Sequence, residues 1–120
     1  MPNETKKMMF ASSSVVPAAT GSVKIKTDNN KNHTIEVSVT NLASADKLSP
    51  PKNIYVVWMI TENNGTKNIG QLNSSSGFLS KTMKASLKTV TSFNPTSFFI
   101  TAEDNGDIQY PQSSTVLTTN

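Results

Sequence analysis

The side chains that could carry chemistry in this 120-residue sequence are few and scattered. Its one histidine, His33, has no second histidine and no cysteine with which to share a metal ion or form a base–nucleophile pair. Serines are plentiful, but none stands in the G-x-S-x-G pattern that exposes a hydrolase nucleophile. Because His33 follows turn residues at the start of a predicted strand, we expect it at the surface. The sequence therefore predicts no enzyme, no catalytic residue and no cofactor.

Acidic residues come together at one point of the chain. Glu103, Asp104 and Asp107 surround Asn105 and Gly106, where oxygen ligands on a turn could hold Ca²⁺. The spacing does not match an EF-hand loop, and Asx and Gly residues are also what a plain β-turn requires. We expect a turn here, with calcium binding as the alternative, and no metal site is assigned.

The aromatic residues offer a second kind of chemistry, the stacking of sugar rings. They include Tyr55, Trp58, Phe78, Phe98, Phe99 and Tyr110. Trp58 lies within the longest apolar block, residues 54–60, and we expect it to be packed in the core.

The positive charge of the chain comes from lysine alone. Eleven lysines stand against eight acidic residues, and arginine is absent. Guanidinium groups are the usual readers of guanine edges and phosphate pairs, so no nucleic-acid partner is predicted. The lysines are interpreted as solubilising residues on strand faces. No apolar run reaches the roughly 18 to 20 residues that cross a bilayer, which predicts no membrane insertion by this chain.

Alternating apolar and polar residues predict the elements that must position these side chains. The predicted strands are residues 22–27, 33–42, 53–62, 67–72, 78–90, 96–103 and 110–118. The first two form a hairpin around a turn at 28–32, and 53–62 is apolar on both faces, as is typical of a central strand. A loop at 41–52 has room for a short helical turn. For 78–90 a helix is the alternative, since Leu79, Met83 and Leu87 also fit a helical stripe.

This pattern predicts an all-β fold, an immunoglobulin-like β-sandwich of about seven strands. The sandwich is expected to be a single domain over residues 21–118. Residues 1–20 hold an apolar stretch too short, and too broken by serines, for a signal peptide. They are predicted to be a flexible leader or the juncture left by a trimmed upstream segment.

Four motifs give the chain a resemblance to a known family. They are Tyr55-Val-Val-Trp58, Gly70-Gln-Leu72, the strand ending in Thr101-Ala-Glu103, and Tyr110-Pro111 followed by Val116-Leu117. Over 21–118 the chain resembles the C-terminal, extracytoplasmic domain of anti-sigma-K-factor-type proteins. The resemblance implies a sandwich displayed outside the cytoplasmic membrane or in the cell envelope, with a sensing or scaffolding role and no catalytic residue. That family binds its sigma factor through a separate cytoplasmic domain beyond a membrane helix, so sigma binding is not carried over.

The leading functional prediction is a non-catalytic, extracytoplasmic, sensor-like or scaffolding β-sandwich that acts through protein contacts. An exposed sheet edge that accepts a partner strand would provide such contacts. The alternative is a cell-surface carbohydrate-binding or adhesion module, using exposed aromatic rings or a Ca²⁺ turn at 103–107. A small hydrolase would need carboxylates that converge in a cleft. The sequence leaves the protein partner and the oligomeric state open.

Overall fold

The strands of this chain lie in two antiparallel sheets. The structure is a computed structural model that describes residues 4–74 and 82–119. Within these ranges the strands are β1 Glu4–Met9, β2 Thr20–Thr27, β3 His33–Ala43, β4 Ile54–Thr61, β5 Thr66–Gln71, β6 Asn73–Ser74, β7 Thr82–Thr91, β8 Pro95–Glu103 and β9 Thr115–Thr118. The described residues contain one helical element, a 3₁₀ turn at Ala45–Lys47. None of their helices is long and apolar enough to span a bilayer.

The order of the strands identifies the topology. The large sheet has the order β1-β2-β3-β7-β6, and the small sheet has the order β5-β4-β8-β9. Without β1, these orders are those of strands A-B-E-D and C′-C-F-G in immunoglobulin domains. The predicted immunoglobulin-like β-sandwich is therefore confirmed. The described residues hold nine strands, because β1 and the two-residue β6 add to the predicted set.

The β2–β3 hairpin shows how the local sequence sets the register. Asp28 Oδ1 accepts hydrogen bonds from the backbone N–H groups of Asn30 and Asn32, which forms an Asx turn. The turn places Thr27 opposite His33 and aligns the two alternating strands over their whole length. Apolar side chains of both strands then point into the core, and their lysines and hydroxyl residues point outward, as the sequence predicts.

Strand β4 is buried on both faces, which confirms the prediction of a central strand. Tyr55, Val57 and Met59 point into the core between the two sheets. Val56 and Trp58 point the opposite way and are also fully buried, each with 0% of its surface exposed. Trp58 stacks on Phe99 of the neighbouring strand β8 with ring centroids 6.2 Å apart. The small sheet therefore needs a second apolar cover on its outward face.

Residues 104–114 supply that cover. They leave the end of β8 and reach β5, where Asn68 Nδ2 donates to the carbonyl oxygens of Gly106 and Ile108 at 2.9 Å. They then return to β8, where the backbone N–H groups of Gln112 and Ser113 donate to the Glu103 carboxylate. Because β4 lies between β5 and β8, this segment must cross the outward face that holds Trp58.

The strand predicted at residues 110–118 is correspondingly shorter. Only Thr115–Thr118 form a strand, because 110–114 are part of the cover and Pro111 lies outside the ladder. The strand at 78–90 is confirmed from Thr82 onward, paired with β3, whereas 78–81 lie outside the described residues. The predicted helical turn in the 41–52 loop is present at Ala45–Lys47.

The prediction of a flexible leader at residues 1–20 is wrong for the part that the structure describes. Glu4–Met9 pair with β2 along their whole length. Phe10, Val16 and Ala19 are buried in the common core, so their burial stabilises this segment on the sandwich. Met8 and Phe10, two positions apart, are the apolar residues of this segment that face inward, but the intervening Met9 is also apolar, so the local sequence shows no alternation.

Tyr55 connects the core to the β3–β4 loop, and its environment predicts a high-pH transition. Its hydroxyl donates to the Ala43 carbonyl oxygen at 2.6 Å. Burial, and then the negative charge of Asp46, raise the pKa of Tyr55 from 10.0 to about 12. The folded state therefore holds the phenol proton more tightly than the unfolded chain. This contribution is complete below pH 10 and is lost as the pH rises towards 12.

We expect Tyr55→Phe to lower the free energy of unfolding at pH 7 by about 1–2 kcal/mol, since the Ala43 carbonyl loses its donor. The same variant should remove the loss of stability between pH 10 and pH 12. Urea unfolding at several pH values measures both effects. Tyr110→Phe, at an exposed position, is the matched control and should retain the high-pH transition.

Candidate functional site

The candidate site begins at the free edge of β1. The backbone N–H of Phe10 donates to Gly21 of β2. Hydrogen bonding alternates along an antiparallel strand, so Glu4, Lys6 and Met8 also face β2 with their backbone groups. The N–H and C=O groups of the residues between them point away from β2, towards the open edge. These residues are Thr5, Lys7 and Met9.

The open edge leads into a gap between the two sheets. Just after the C-terminal end of β1, the N–H of Ala11 donates to Thr118 of β9, and Thr119 in turn pairs with Phe98 of β8. Beside Ala11, β9 therefore lies between the large sheet and β8. Further along, the described residues place no strand between residues 4–9 of β1 and residues 95–97 of β8. We call this gap the slot.

A cleft of about 620 Å³ opens beneath the slot. Its walls come from β1 on the large sheet and from the β4–β5 and β7–β8 connections on the other side. The lining residues are Glu4, Thr5, Lys6, Ile25, Thr27, His33, Glu62, Asn94 and Pro95. The cleft thus brings together an imidazole, an ammonium group, two carboxylates and an amide.

His33 lies at the floor of this cleft, and the prediction that it is a surface residue is wrong. Only 8% of its surface is exposed, because its position in β3 points inward. The amide oxygen of Asn94 lies 3.1 Å from Nε2 and can only accept, so Nε2 carries the hydrogen. The hydroxyl of Thr27 lies 2.8 Å from Nδ1. Both ring nitrogens therefore have partners.

Thr27, His33 and Asn94 stand in the order hydroxyl, imidazole and orienting group, which also occurs in nucleophilic hydrolases. Here the arrangement follows from the fold. Thr27 and His33 are directly opposite in the hairpin, and Asn94 lies on the connection that carries the chain to the small sheet. The backbone of Asn94 also accepts from Glu62 N–H. We interpret the three residues as a polar bridge between the two sheets.

The carboxylates of the cleft are arranged separately from this bridge. Glu4 and Glu62 have exposed side chains on opposite walls. Among the described residues, neither of them forms a hydrogen bond or an ion pair with His33 or Lys6. The cleft therefore presents charges of both signs on its walls.

The acidic residues of the turn at 103–107 differ in their environment. Glu103 is 2% exposed, and its carboxylate is directed to the N–H groups of Gln112 and Ser113 and to the Ser113 hydroxyl. Asp104 and Asp107 are exposed, and Asp104 pairs with Lys52 at 3.8 Å. Within the described chain no three acidic or histidine residues come together as metal ligands. Glu103 is a structural acceptor that anchors the cover.

The aromatic residues are divided in the same way. The prediction that Trp58 is packed in the core region is confirmed, and its Nε1 donates to Thr101 Oγ1 at 2.8 Å. Tyr55 and Phe98 are buried as well. Tyr110 is 72% exposed and Phe93 lies beneath the Lys67 ammonium group. Phe78 lies outside the described residues. The stacked pair of the described chain, Trp58 with Phe99, is thus mostly withdrawn from solvent.

Sequence reasoning missed the slot and the cleft because both depend on β1. Lys6 and Glu4 became lining residues only when their segment joined the large sheet. Asn94 is separated from His33 by 61 positions, and no local pattern connects them. Residues 4–10 show no alternation of apolar and polar residues that would have predicted this strand.

A double-mutant cycle tests the polar bridge. We expect His33→Ala and Asn94→Ala each to lower the free energy of unfolding by about 1–3 kcal/mol, with a coupling of about 1 kcal/mol, because each leaves the other partner unsatisfied. Urea unfolding measures the coupling. Ser92→Ala, at an exposed position of the same connection, should show no coupling to His33. Additive effects at His33 and Asn94 would contradict the bridge.

Glu103→Gln tests the anchor of the cover. The amide retains one acceptor oxygen but presents an NH₂ group to donors, so we expect the hold on residues 112–113 to weaken. The free energy of unfolding should fall by about 1–3 kcal/mol. The single tryptophan should show red-shifted emission, since its cover loosens. Asp107→Asn, an exposed carboxylate of the same segment, is the control and should leave the emission unchanged.

Comparisons with known proteins identify no family for this chain. No protein-family model matches the chain, and no curated protein or solved structure matches it. The motifs that resemble anti-sigma-K-factor-type proteins have structural roles in this fold: Trp58 lies under the cover, and Glu103 anchors it. The functional interpretation therefore starts from the slot and the cleft.

Proposed function

We propose that this chain is a non-catalytic, sensor-like or scaffolding β-sandwich that acts through protein contacts, by accepting an extended partner strand in the slot. We further propose an extracytoplasmic location, on the strength of the family resemblance. The observation that carries the proposal is the open edge of β1 beside the cleft. Addition of a strand to a sheet edge is a common mode of peptide recognition.

The backbone of the slot offers hydrogen bonds on its β1 side. On β1, Thr5, Lys7 and Met9 direct their N–H and C=O groups to the open edge. On β8, Phe98 faces β9 with its backbone groups, and a bulge at Thr96 interrupts the alternation before it. An added strand would therefore pair with β1 and continue the line of β9.

The side chains of the slot provide selectivity. Every second residue of an added strand points inward, over the cleft of about 620 Å³. Lys6 on one wall suits an acidic side chain, and Glu62 on the other suits a basic one. The expected partner segment is an extended peptide with polar residues at alternate positions.

The carbohydrate-binding alternative receives less support. It relied on exposed coplanar aromatic rings or on a Ca²⁺ turn, whereas Trp58 is buried and Glu103 is engaged by the cover. The proposal of a non-catalytic role is supported by His33, the only imidazole in the sequence, since both its ring nitrogens are occupied by structural partners.

The test is a selection of random dodecapeptides displayed on phage against the folded chain, followed by NMR with the best synthetic peptide. We expect its amide shifts to localise to residues 5–9 and 96–97. The amide protons of Thr5, Lys7 and Met9 should exchange more slowly in the complex, because they gain acceptors. Peptides that shift other surfaces only, or a failure to enrich any peptide for the slot, would contradict the proposal.

The matched variants are Thr5→Pro and Thr5→Val. The N–H of Thr5 faces the open edge, so proline there removes a slot donor without removing a bond to β2. We expect Thr5→Pro to weaken peptide binding at least about tenfold, the equivalent of one lost hydrogen bond, and Thr5→Val to bind as the parent does. Equal binding by the two variants would show that the peptide does not add to β1.

A further inference from the structure

The outward face of the large sheet carries an unbalanced set of lysines. We call it the lysine face, and its cations are Lys7, Lys24, Lys26, Lys84 and Lys88. All five side chains are exposed, and they point away from the core because their neighbours in β2, β3 and β7 point inward. Within the described part of this face, Glu36 is the one acidic side chain.

The register of the strands concentrates the charge instead of neutralising it. Lys7 lies directly opposite Lys24, and like charges in directly opposed positions destabilise a sheet. Glu36 lies between Lys24 and Lys88 in the same cross-strand row, and Lys26 also pairs with it at 3.4 Å. One carboxylate thus lies among three lysines and forms its ion pair with Lys26. Such an uncompensated arrangement is expected where an anionic partner completes it.

The cover on the opposite side of the molecule has two carboxylates and no lysine. The cover carries Asp104 and Asp107, and the nearby Lys52 is paired with Asp104. Lys67 on β5 is placed over the Phe93 ring, 4.8 Å from its centroid. A positive plane backed by a neutral to negative side orients a molecule in an electric field with the lysine face towards an anionic surface.

We propose that the lysine face binds the surface of a bilayer that contains anionic phospholipids. The face is the broad side of a five-stranded sheet, with Ser and Thr hydroxyls between the lysines, so it matches a planar array of phosphate groups. Lysine is a point charge without the fork of arginine, which suits a diffuse headgroup layer better than a defined phosphate pair. The described face has no aromatic ring on which nucleic-acid bases could stack.

Two exposed apolar side chains stand at diagonal corners of the same face. Met9 on β1 is 49% exposed, and Val90 on β7 is 64% exposed. Apolar groups beside lysines add burial at the headgroup boundary to the electrostatic attraction. This proposal does not depend on the slot, because the lysine face and the cleft lie on opposite faces of β1 and β2.

The experiment is cosedimentation of the whole chain with large unilamellar vesicles. Vesicles of phosphatidylcholine mixed with phosphatidylglycerol should bind the chain, and vesicles of phosphatidylcholine alone should not. Binding should fall steeply with added salt, since the attraction is screened within a Debye length. Equal binding to the two vesicle types, or no binding to the anionic vesicles at low salt, would overturn the proposal.

Two double variants with the same change in net charge locate the surface. Each lysine near an anionic membrane contributes about a fivefold gain in affinity, so Lys7→Gln with Lys24→Gln should weaken binding roughly 25-fold. Lys47→Gln with Lys67→Gln, on other surfaces, should weaken it less than about twofold. An equal loss in both would overturn the assignment to this face.

Two controls separate a loss of vesicle binding from unfolding and from a loss of peptide binding. Lys7→Gln removes a like-charge contact, so the melting temperature should stay unchanged or rise, and lost binding cannot be ascribed to unfolding. Thr5→Pro should retain vesicle binding even where it abolishes peptide binding. If a soluble polyanion such as heparin binds the lysine face and the anionic vesicles do not, the bilayer proposal is overturned in favour of a polymer.

Discussion

Strand β4 is apolar on both faces, and this single property sets the requirements for the rest of the sandwich. One face packs on the large sheet and forms the common core. The other face, with Val56 and Trp58, would be left in water unless a further segment covered it. Residues 104–114 cross this face, and the buried carboxylate of Glu103 holds them there by accepting hydrogen bonds from them. An immunoglobulin-like sandwich has thereby gained a third, irregular layer over its small sheet.

The polar residues that first suggested chemistry have partners within the fold. Glu103 receives backbone donors, Trp58 donates to Thr101, and His33 connects Thr27 with Asn94. A buried polar group costs free energy unless it has partners, and each of these groups has them. Among the described residues no buried side-chain nitrogen or oxygen lacks a hydrogen-bond partner. The proposed functions accordingly lie at surfaces, where backbone groups or charges are still free to pair.

Two such surfaces remain, and both involve β1. Its backbone leaves the slot open, because β9 lies beside Ala11 but the described chain places nothing beside residues 4–9. Its side chains add Lys7 to the lysine face on one side and Lys6 to the cleft on the other. The strand alternation thus separates the proposed peptide-binding edge from a charged plane on the same few residues. The slot and the lysine face could therefore be occupied at the same time.

The sequence by itself determined the fold class, the β2–β3 hairpin, the central position of β4 and the burial of Trp58. These features rest on period-two alternation and turn chemistry, which act between neighbours in the chain. Tertiary structure alone decided that residues 4–9 join the large sheet, that His33 is buried against Asn94, and that Glu103 faces residues 112–113. It also gathered lysines from three strands onto one face. The physical reason is that pairing partners and open edges are set by long-range burial, which no local pattern encodes.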